Sequence, residues 1–205
     1  MNPPQSLRQR YAELSEPYRL LLQLKAVMGG FSRSLLPECL REAGVRPPRG
    51  QSWNAGDIRA ALHTLHQIGL TDGKDRVVAE FEHELCMEGL QRMAPAVRKV
   101  LERGAGIHTA ALRLRLAVYE RDLRAYEKAR LDAQAMEEGG NHPFAGQFAD
   151  APTDPGWLDA LPPRIRLDVI ANNLIPLAET GAITKNLRNC MEVLPRLRPS
   201  LADLP

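Results

Sequence analysis

The residues of this sequence best suited to bind a metal ion are two pairs with equal spacing. His63 and His66 stand three residues apart, and His83 and Cys86 repeat that interval further along the chain. Imidazole nitrogen and thiolate sulfur are ligands that zinc prefers, and two such pairs on neighbouring helices could surround one ion. A solvated helix beside a small buried cysteine explains the same residues, so we predict no metal site.

Signatures of catalysis are missing from the sequence. It contains no G-x-x-x-x-G-K-[ST] phosphate loop, no G-x-G-x-x-G dinucleotide turn and no H-E-x-x-H zinc helix. Carboxylates such as Asp168 and Glu179 stand among unrelated residue types, so no acid–base pair is indicated. We therefore expect these 205 residues to contain no catalytic site and to bind no cofactor.

A second set of polar residues suits binding rather than catalysis. Arg59, His63 and Gln67 recur at intervals of four on a predicted helix, and Lys74 and Arg76 follow shortly after it. In a winged helix, the third helix enters the major groove of DNA and the wing contacts phosphates or the minor groove. We predict these five residues as nucleic-acid contacts. The alternative is that they form the solvated face that every amphipathic surface helix needs.

The elements that would position these residues follow the order of a winged helix. Each predicted helix begins at a residue that can cap it and ends at glycine: Ser15 to Gly29, Ser32 or Ser34 to Gly44, and Asn54 to Gly69. Asp57 can reach back to the Asn54 cap. Leu70–Thr71 and Arg76–Phe81 can then pair across Asp72–Gly73, a dipeptide suited to a tight hairpin turn.

The charge of this region argues against strong binding to nucleic acid. Residues 1–90 contain 11 basic and 11 acidic side chains, whereas phosphate-dominated binding normally needs a basic surface. The whole chain has a net charge of +2 and a calculated pI near 8.5. These values are too mild to indicate a nucleic-acid or membrane partner by themselves.

Two units are expected, which together make a mainly α protein. A winged-helix-like domain with a small β-hairpin would span residues 10–93, and an all-α, solenoid-like helical-hairpin domain would span 94–205. In the second, residues 109–136 have a helical composition and can fold back at Arg121–Asp122, which would bring together Leu112, Leu116 and Tyr119 with Leu123, Tyr126, Ala129 and Leu131. One straight helix is the alternative, because no glycine or proline marks the turn.

The rest of the second unit combines a long loop with further helices. Residues 137–155 are rich in glycine and proline and are predicted to form a loop. Its aromatic residues Phe144 and Phe148, with Trp157 nearby, could anchor a partner, but such residues more often pin a loop to its own domain. Helices are predicted from Arg164 to about Thr180, with a kink or division at Pro176, and over 183–194.

Cysteine usage and hydropathy indicate a cytoplasmic location. Cys39, Cys86 and Cys190 form no close pair in the sequence, which favours a reducing compartment. Residues 1–10 lack the apolar core of a secretory signal, and no apolar run approaches the roughly 20 residues that span a bilayer. We therefore expect no membrane partner.

Several apolar patterns resemble those of a known family. Residues 17–24 read PYRLLLQL, residues 31–36 read FSRSLL and residues 61–70 read ALHTLHQIGL. This segment resembles the region ahead of the motor in some bacterial SWI/SNF-type helicase-like proteins, and ALRLRLAVYERD at 111–122 is similar to the helical arm that follows it there. The resemblance covers roughly residues 10–135 and includes no reactive residue.

The resemblance implies a non-catalytic, N-terminal binding or regulatory region of a DNA-associated, ATP-driven protein. By this resemblance, the motor would lie beyond Pro205. The proline-rich stretch before that residue is typical of a linker, so we expect the chain to be the front portion of a longer polypeptide. Winged-helix units followed by helical repeats also occur in large signal-responsive transcriptional regulators. There they act as protein-interaction scaffolds, so the expected partner is DNA, another protein or the rest of a longer chain.

Overall fold

Helices account for nearly all the regular structure in the described part of the chain. The computed structural model describes residues 6–30, 33–104, 107–135, 154–180 and 185–197. The chain divides into two compact units, Met1–Gly104 and Ala105–Pro205. The mainly α class is therefore confirmed. Within the described residues, no helix has the length and apolar character that a membrane span requires.

The first unit is built from helices that run from Leu7 to Arg103. In chain order they are α1 (Leu7–Ala12), α2 (Glu16–Met28), α3 (Leu36–Glu42), α4 (Ala55–Gln67) and α5 (Ala79–Arg103), with a 3-10 turn at Arg33–Leu35. Helix α2 packs along α5, which also contacts α3. Because α5 continues to Arg103, it crosses the boundary predicted at residues 93 and 94.

Local capping explains where α4 begins. The Asn54 side-chain oxygen accepts hydrogen bonds from the backbone amides of Gly56 at 2.8 Å and Asp57 at 3.0 Å, and the Asp57 carboxylate reaches back to the Asn54 amide. This is the capping box that the sequence predicts. Ser15 stands at the cap of α2 as predicted, but its side chain makes no capping hydrogen bond.

The β-hairpin predicted after α4 is wrong for the described residues. A single bridge joins Thr71 to Val77, and α5 begins at Ala79, so Phe81 is helical rather than extended. The positive φ of this turn is 57° at Asp75, not at Asp72 or Gly73. Asp72 instead accepts hydrogen bonds from the backbone amides of Lys74 and Arg76, both at 2.8 Å. These bonds organise a loop in place of a strand ladder. The part of the winged-helix prediction that concerns the wing is therefore wrong for the described residues.

The second unit opens with a helical hairpin. Helix α6 (Ile107–Glu120) is followed by α7 (Leu123–Ala135), and Arg121 between them has a φ of 58°. The Asp122 carboxylate accepts a hydrogen bond of 3.0 Å from the Ala125 amide and so caps α7. The predicted turn at Arg121–Asp122 is confirmed.

The buried faces of this hairpin match most of the predicted contacts. Five of the predicted residues are buried: Leu112, Leu116, Tyr119, Tyr126 and Ala129. Leu123 and Leu131 are instead exposed, at 41% and 58% of their surface. Their assignment to the interface between α6 and α7 was wrong, because these two residues lie on the side of α7 that faces solvent.

Shorter elements complete the second unit. Helix α8 (Pro155–Asp159) is followed by α9 (Pro163–Thr180), α10 (Lys185–Val193) and a 3-10 turn at Leu194–Leu197. Trp157 is buried, and its ring centroid lies 5.8 Å from that of Tyr119, so Trp157 packs within its own unit. Phe144 and Phe148 lie outside the described residues. Pro176 does not divide α9, which corrects that part of the prediction.

Candidate binding surfaces

The outer face of α4 presents the first group of predicted contacts. Arg59, His63 and Gln67 are all exposed, as intervals of four residues on one side of a helix require. Ile58, Ala61, Leu62 and Leu65 occupy the opposite side and are buried. The face is therefore held in place by the apolar core beneath it.

Side chains along this face are ordered by local hydrogen bonds. His63 Nε2 and Gln67 Nε2 are 3.0 Å apart, and His66 Nδ1 lies 2.9 Å from the carbonyl oxygen of Thr71. Residues 58–71 contain no aspartate or glutamate, so no carboxylate of α4 itself opposes an anionic partner beyond its first turn. The face can donate hydrogen bonds from arginine, histidine and glutamine to phosphate or base edges.

The second group lies on the loop that follows, over residues 72–76. Lys74 is exposed, whereas the Arg76 guanidinium pairs with the Asp72 carboxylate at 3.0 Å. Burial acts to raise the pKa of Asp72, but bonds from the backbone amides of Arg76 and Lys74 and from the Arg76 side chain outweigh it and hold that pKa below its ordinary value. Asp72 therefore stays ionised and offsets the charge of Arg76.

The structure thus places the predicted contacts in two local groups. Arg59, His63 and Gln67 share the face of α4, while the backbone of Lys74 and the side chain of Arg76 are both organised by Asp72. Among the described residues, no ion pair involves Arg59 or the side chain of Lys74. These two side chains are the strongest candidates for contact with phosphate.

The histidine and cysteine pairs are not assembled into a metal site within the described residues, where no group of three or more possible ligands is close enough to hold an ion. His63 and His66 are engaged with Gln67 and Thr71, and Cys86 is buried. Burial raises the pKa of Cys39 to about 12 and that of Cys190 to about 11. Neither of these thiols is a nucleophile at neutral pH.

A polar cleft between α1, α2 and α5 was missed by the reasoning from sequence. Its volume is about 370 Å³, and Glu88 of α5 organises one wall. Glu88 accepts hydrogen bonds from Arg8, from the Tyr11 hydroxyl at 3.2 Å and from Gln23 at 3.4 Å, while Gln23 also donates to the Tyr11 oxygen at 2.8 Å. No spacing signal reveals this cleft, because its residues come from distant parts of the chain.

Comparisons with known proteins neither add to these observations nor contradict them. No family model, no curated protein and no solved structure matches this chain.

Proposed function

We propose that this chain is the non-catalytic binding and regulatory region of a larger DNA-associated, helicase-like protein. The contact surface consists of the α4 face and loop 72–76, with the side chains of Arg59, His63, Gln67, Lys74 and Arg76. The observation that supports this proposal best is an exposed helix face that offers hydrogen-bond donors and carries no carboxylate over residues 58–71. The resemblance to SWI/SNF-type helicase-like proteins supplies the cellular context.

The distribution of charge determines how strongly such a surface would bind DNA. Residues 1–90 are neutral overall, so long-range attraction between this unit and DNA is weak. Arg59 and Lys74 supply local positive charge at the proposed contact, and His63 and Gln67 supply further hydrogen-bond donors. Binding would then depend on few phosphate contacts. Such weak binding is sufficient for an accessory region if the proposed motor holds the nucleic acid more tightly.

The direct test is a fluorescence anisotropy titration of the chain against duplex and single-stranded DNA. It should be run at about 50 and 200 mM salt, because phosphate-driven affinity falls across that range. We expect measurable binding at the lower concentration and a marked loss at the higher one. Absence of binding to both forms of DNA at low salt would contradict the proposal.

Removal of charge from loop 72–76 should weaken this binding. The double variant Lys74→Ala/Arg76→Ala is expected to reduce affinity for all sequences alike and to lower the dependence on salt by a slope of about 1. Lys74→Ala alone should account for most of the effect, because Asp72 already pairs with Arg76. The measurement is the same titration with two unrelated duplex sequences.

A charge-matched control separates local contact from net charge. The double variant Arg41→Ala/Lys99→Ala removes the same charge from α3 and α5, where Arg41 pairs with Glu38 and Lys99 with Glu42. It should bind DNA as the unaltered chain does. Equal losses in both double variants, or no loss in the Lys74→Ala/Arg76→Ala variant, would remove loop 72–76 from the contact surface.

A protein-interaction scaffold of a signal-responsive transcriptional regulator is the alternative function. It is favoured by large apolar side chains that remain exposed in the second unit, of which Leu131 and Met191 are 58% and 57% exposed. Exposed apolar side chains mark a protein-binding surface where they lie together in one patch. Failure to bind DNA would favour this alternative. Under either function we propose a cytoplasmic location, in keeping with the three free, buried cysteines.

A further inference from the structure

The cleft between α1, α2 and α5 has a charge that its own residues do not balance. The charged side chains that line it are Arg8, Glu16, Arg19, Glu88 and Arg92. Arg8 pairs with Glu88 and, at 3.0 Å, with Glu84, and Arg92 pairs with Glu16 at 3.0 Å. Within the described part of the chain, Arg19 has no ion pair. The Arg19 guanidinium is therefore the group of this lining that remains available to an anion.

The wall beside this charge is held by contacts that do not need a ligand. Tyr11 is buried, its ring meets Phe81 edge to face with centroids 5.4 Å apart, and its hydroxyl is bonded to Gln23 and Glu88. Burial, followed by the nearby Glu88 charge, raises the pKa of Tyr11, so its hydroxyl stays protonated. Because these contacts already order the wall, little further conformational entropy is lost when a ligand binds.

We propose that this cleft binds a small organic monocarboxylate, with Arg19 as its main anchor. The planar guanidinium group matches a carboxylate through paired hydrogen bonds. A single negative charge is favoured because the other charged groups of the cleft already pair with one another. A volume of about 370 Å³ lies within the range of small-molecule sites, and exposed Ala12, with the small exposed parts of Tyr11 and Leu20, provides apolar surface for the uncharged part of the ligand.

Titration of the whole chain with two simple probes tests this site. Benzoate and N-acetylglycine, added to about 10 mM because affinity for such small ligands is weak, should shift backbone amide signals of residues 8–23 and 88–92 in ¹H–¹⁵N spectra. Their uncharged counterparts, benzamide and N-acetylglycinamide, should leave those signals unchanged. The same shifts with the amides, or no shift with either carboxylate, would overturn the proposal.

Variants at Arg19 distinguish a ligand contact from a structural role. Arg19→Gln should weaken benzoate binding at least about tenfold, and Arg19→Lys, which keeps the charge but loses the planar donor pair, should give an intermediate affinity. Arg41→Gln on α3, which lies outside both proposed surfaces, is the control that should bind benzoate normally. Thermal melts should show that all three variants remain folded. Full binding by Arg19→Gln would overturn the assignment.

This site and the proposed DNA contact can fail separately. Arg59→Gln tests a residue of the α4 face in the anisotropy titration, whereas Arg19→Gln tests the cleft in the benzoate titration. Loss of DNA binding with benzoate binding retained, or the reverse, assigns each result to its own surface.

Discussion

Replacement of Gly89 by valine is expected to lower the free energy of unfolding of the first unit by about 3 kcal/mol. Gly89 lies in α5 where this helix crosses α2 closely. A Cβ atom at Gly89 would stand 3.0 Å from the Gln23 carbonyl oxygen and 3.1 Å from both Gln23 Cβ and Val27 Cγ2. Because one of these neighbours is backbone, the added side chain must push the two helices apart.

The measurement is urea unfolding with a reporter that lies in the first unit alone. The sequence has two tryptophans, and both Trp53 and Trp157 are 6% exposed. In a Trp157→Phe background, fluorescence therefore reports on Trp53 and the first unit. Gly73→Val is the matched control, because a Cβ there meets nothing within 4 Å, and it should change stability by less than about 1 kcal/mol. Equal effects at the two glycines would refute the tight crossing.

The Tyr126→Phe variant should lower the free energy of unfolding of the second unit by about 2 kcal/mol, the typical value for a buried hydrogen bond to a charged group. Tyr126 is 1% exposed, and its hydroxyl donates a 2.6 Å hydrogen bond to Asp168 Oδ2. This bond joins α7 to α9. Removal of the hydroxyl leaves a partly buried carboxylate with one donor fewer.

Unfolding followed by Trp157 fluorescence in a Trp53→Phe background measures this effect. A double-mutant cycle with Asp168→Asn isolates the coupling between the two side chains. Glu127→Gln removes a partly exposed carboxylate that pairs with Arg130 at 3.2 Å and should cost less than about 1 kcal/mol. Additive losses in the cycle would show that the Tyr126 hydroxyl does not act through Asp168.

The pH dependence of the same variant provides an independent check. Burial, and then the hydrogen bond to Asp168, raise the pKa of Tyr126 above its ordinary value. The contribution of Tyr126 is therefore fully present below the unfolded-state pKa of about 10 and declines as the pH rises above it. The Tyr126→Phe variant should lose less stability between neutral and alkaline pH than the unaltered chain. An unchanged alkaline loss would contradict this account.

Features that depend on neighbours in sequence were predicted well. The capping box of α4 needs only the pattern from Asn54 to Asp57, and its hydrogen bonds are present in the structure. Gly29, Gly44 and Gly69 follow the ends of helices with φ values of 62°, 69° and 71°, which glycine adopts at little cost. The turn at Arg121–Asp122 likewise depends on local backbone geometry.

The predicted β-hairpin is wrong because local propensity does not decide between strand and helix after Val77. A strand there needs a partner along its whole length, yet the bonds to Asp72 leave only the bridge from Thr71 to Val77. Phe81 and Leu85, four residues apart, are both buried on one side of α5. Burial of that apolar helix face outweighs the short extended pairing that the dipeptide Asp72–Gly73 suggests.

The sequence by itself determined the helical class, the capped start of α4 and the exposed row from Arg59 to Gln67, because helical periodicity and capping act within a few residues. Tertiary structure alone decided the polar cleft, where Arg8 and Glu88 meet although 80 residues separate them. It also left Arg19 without a carboxylate partner among the described residues. Such pairings depend on how α1, α2 and α5 pack, and no local pattern encodes which distant charges become neighbours.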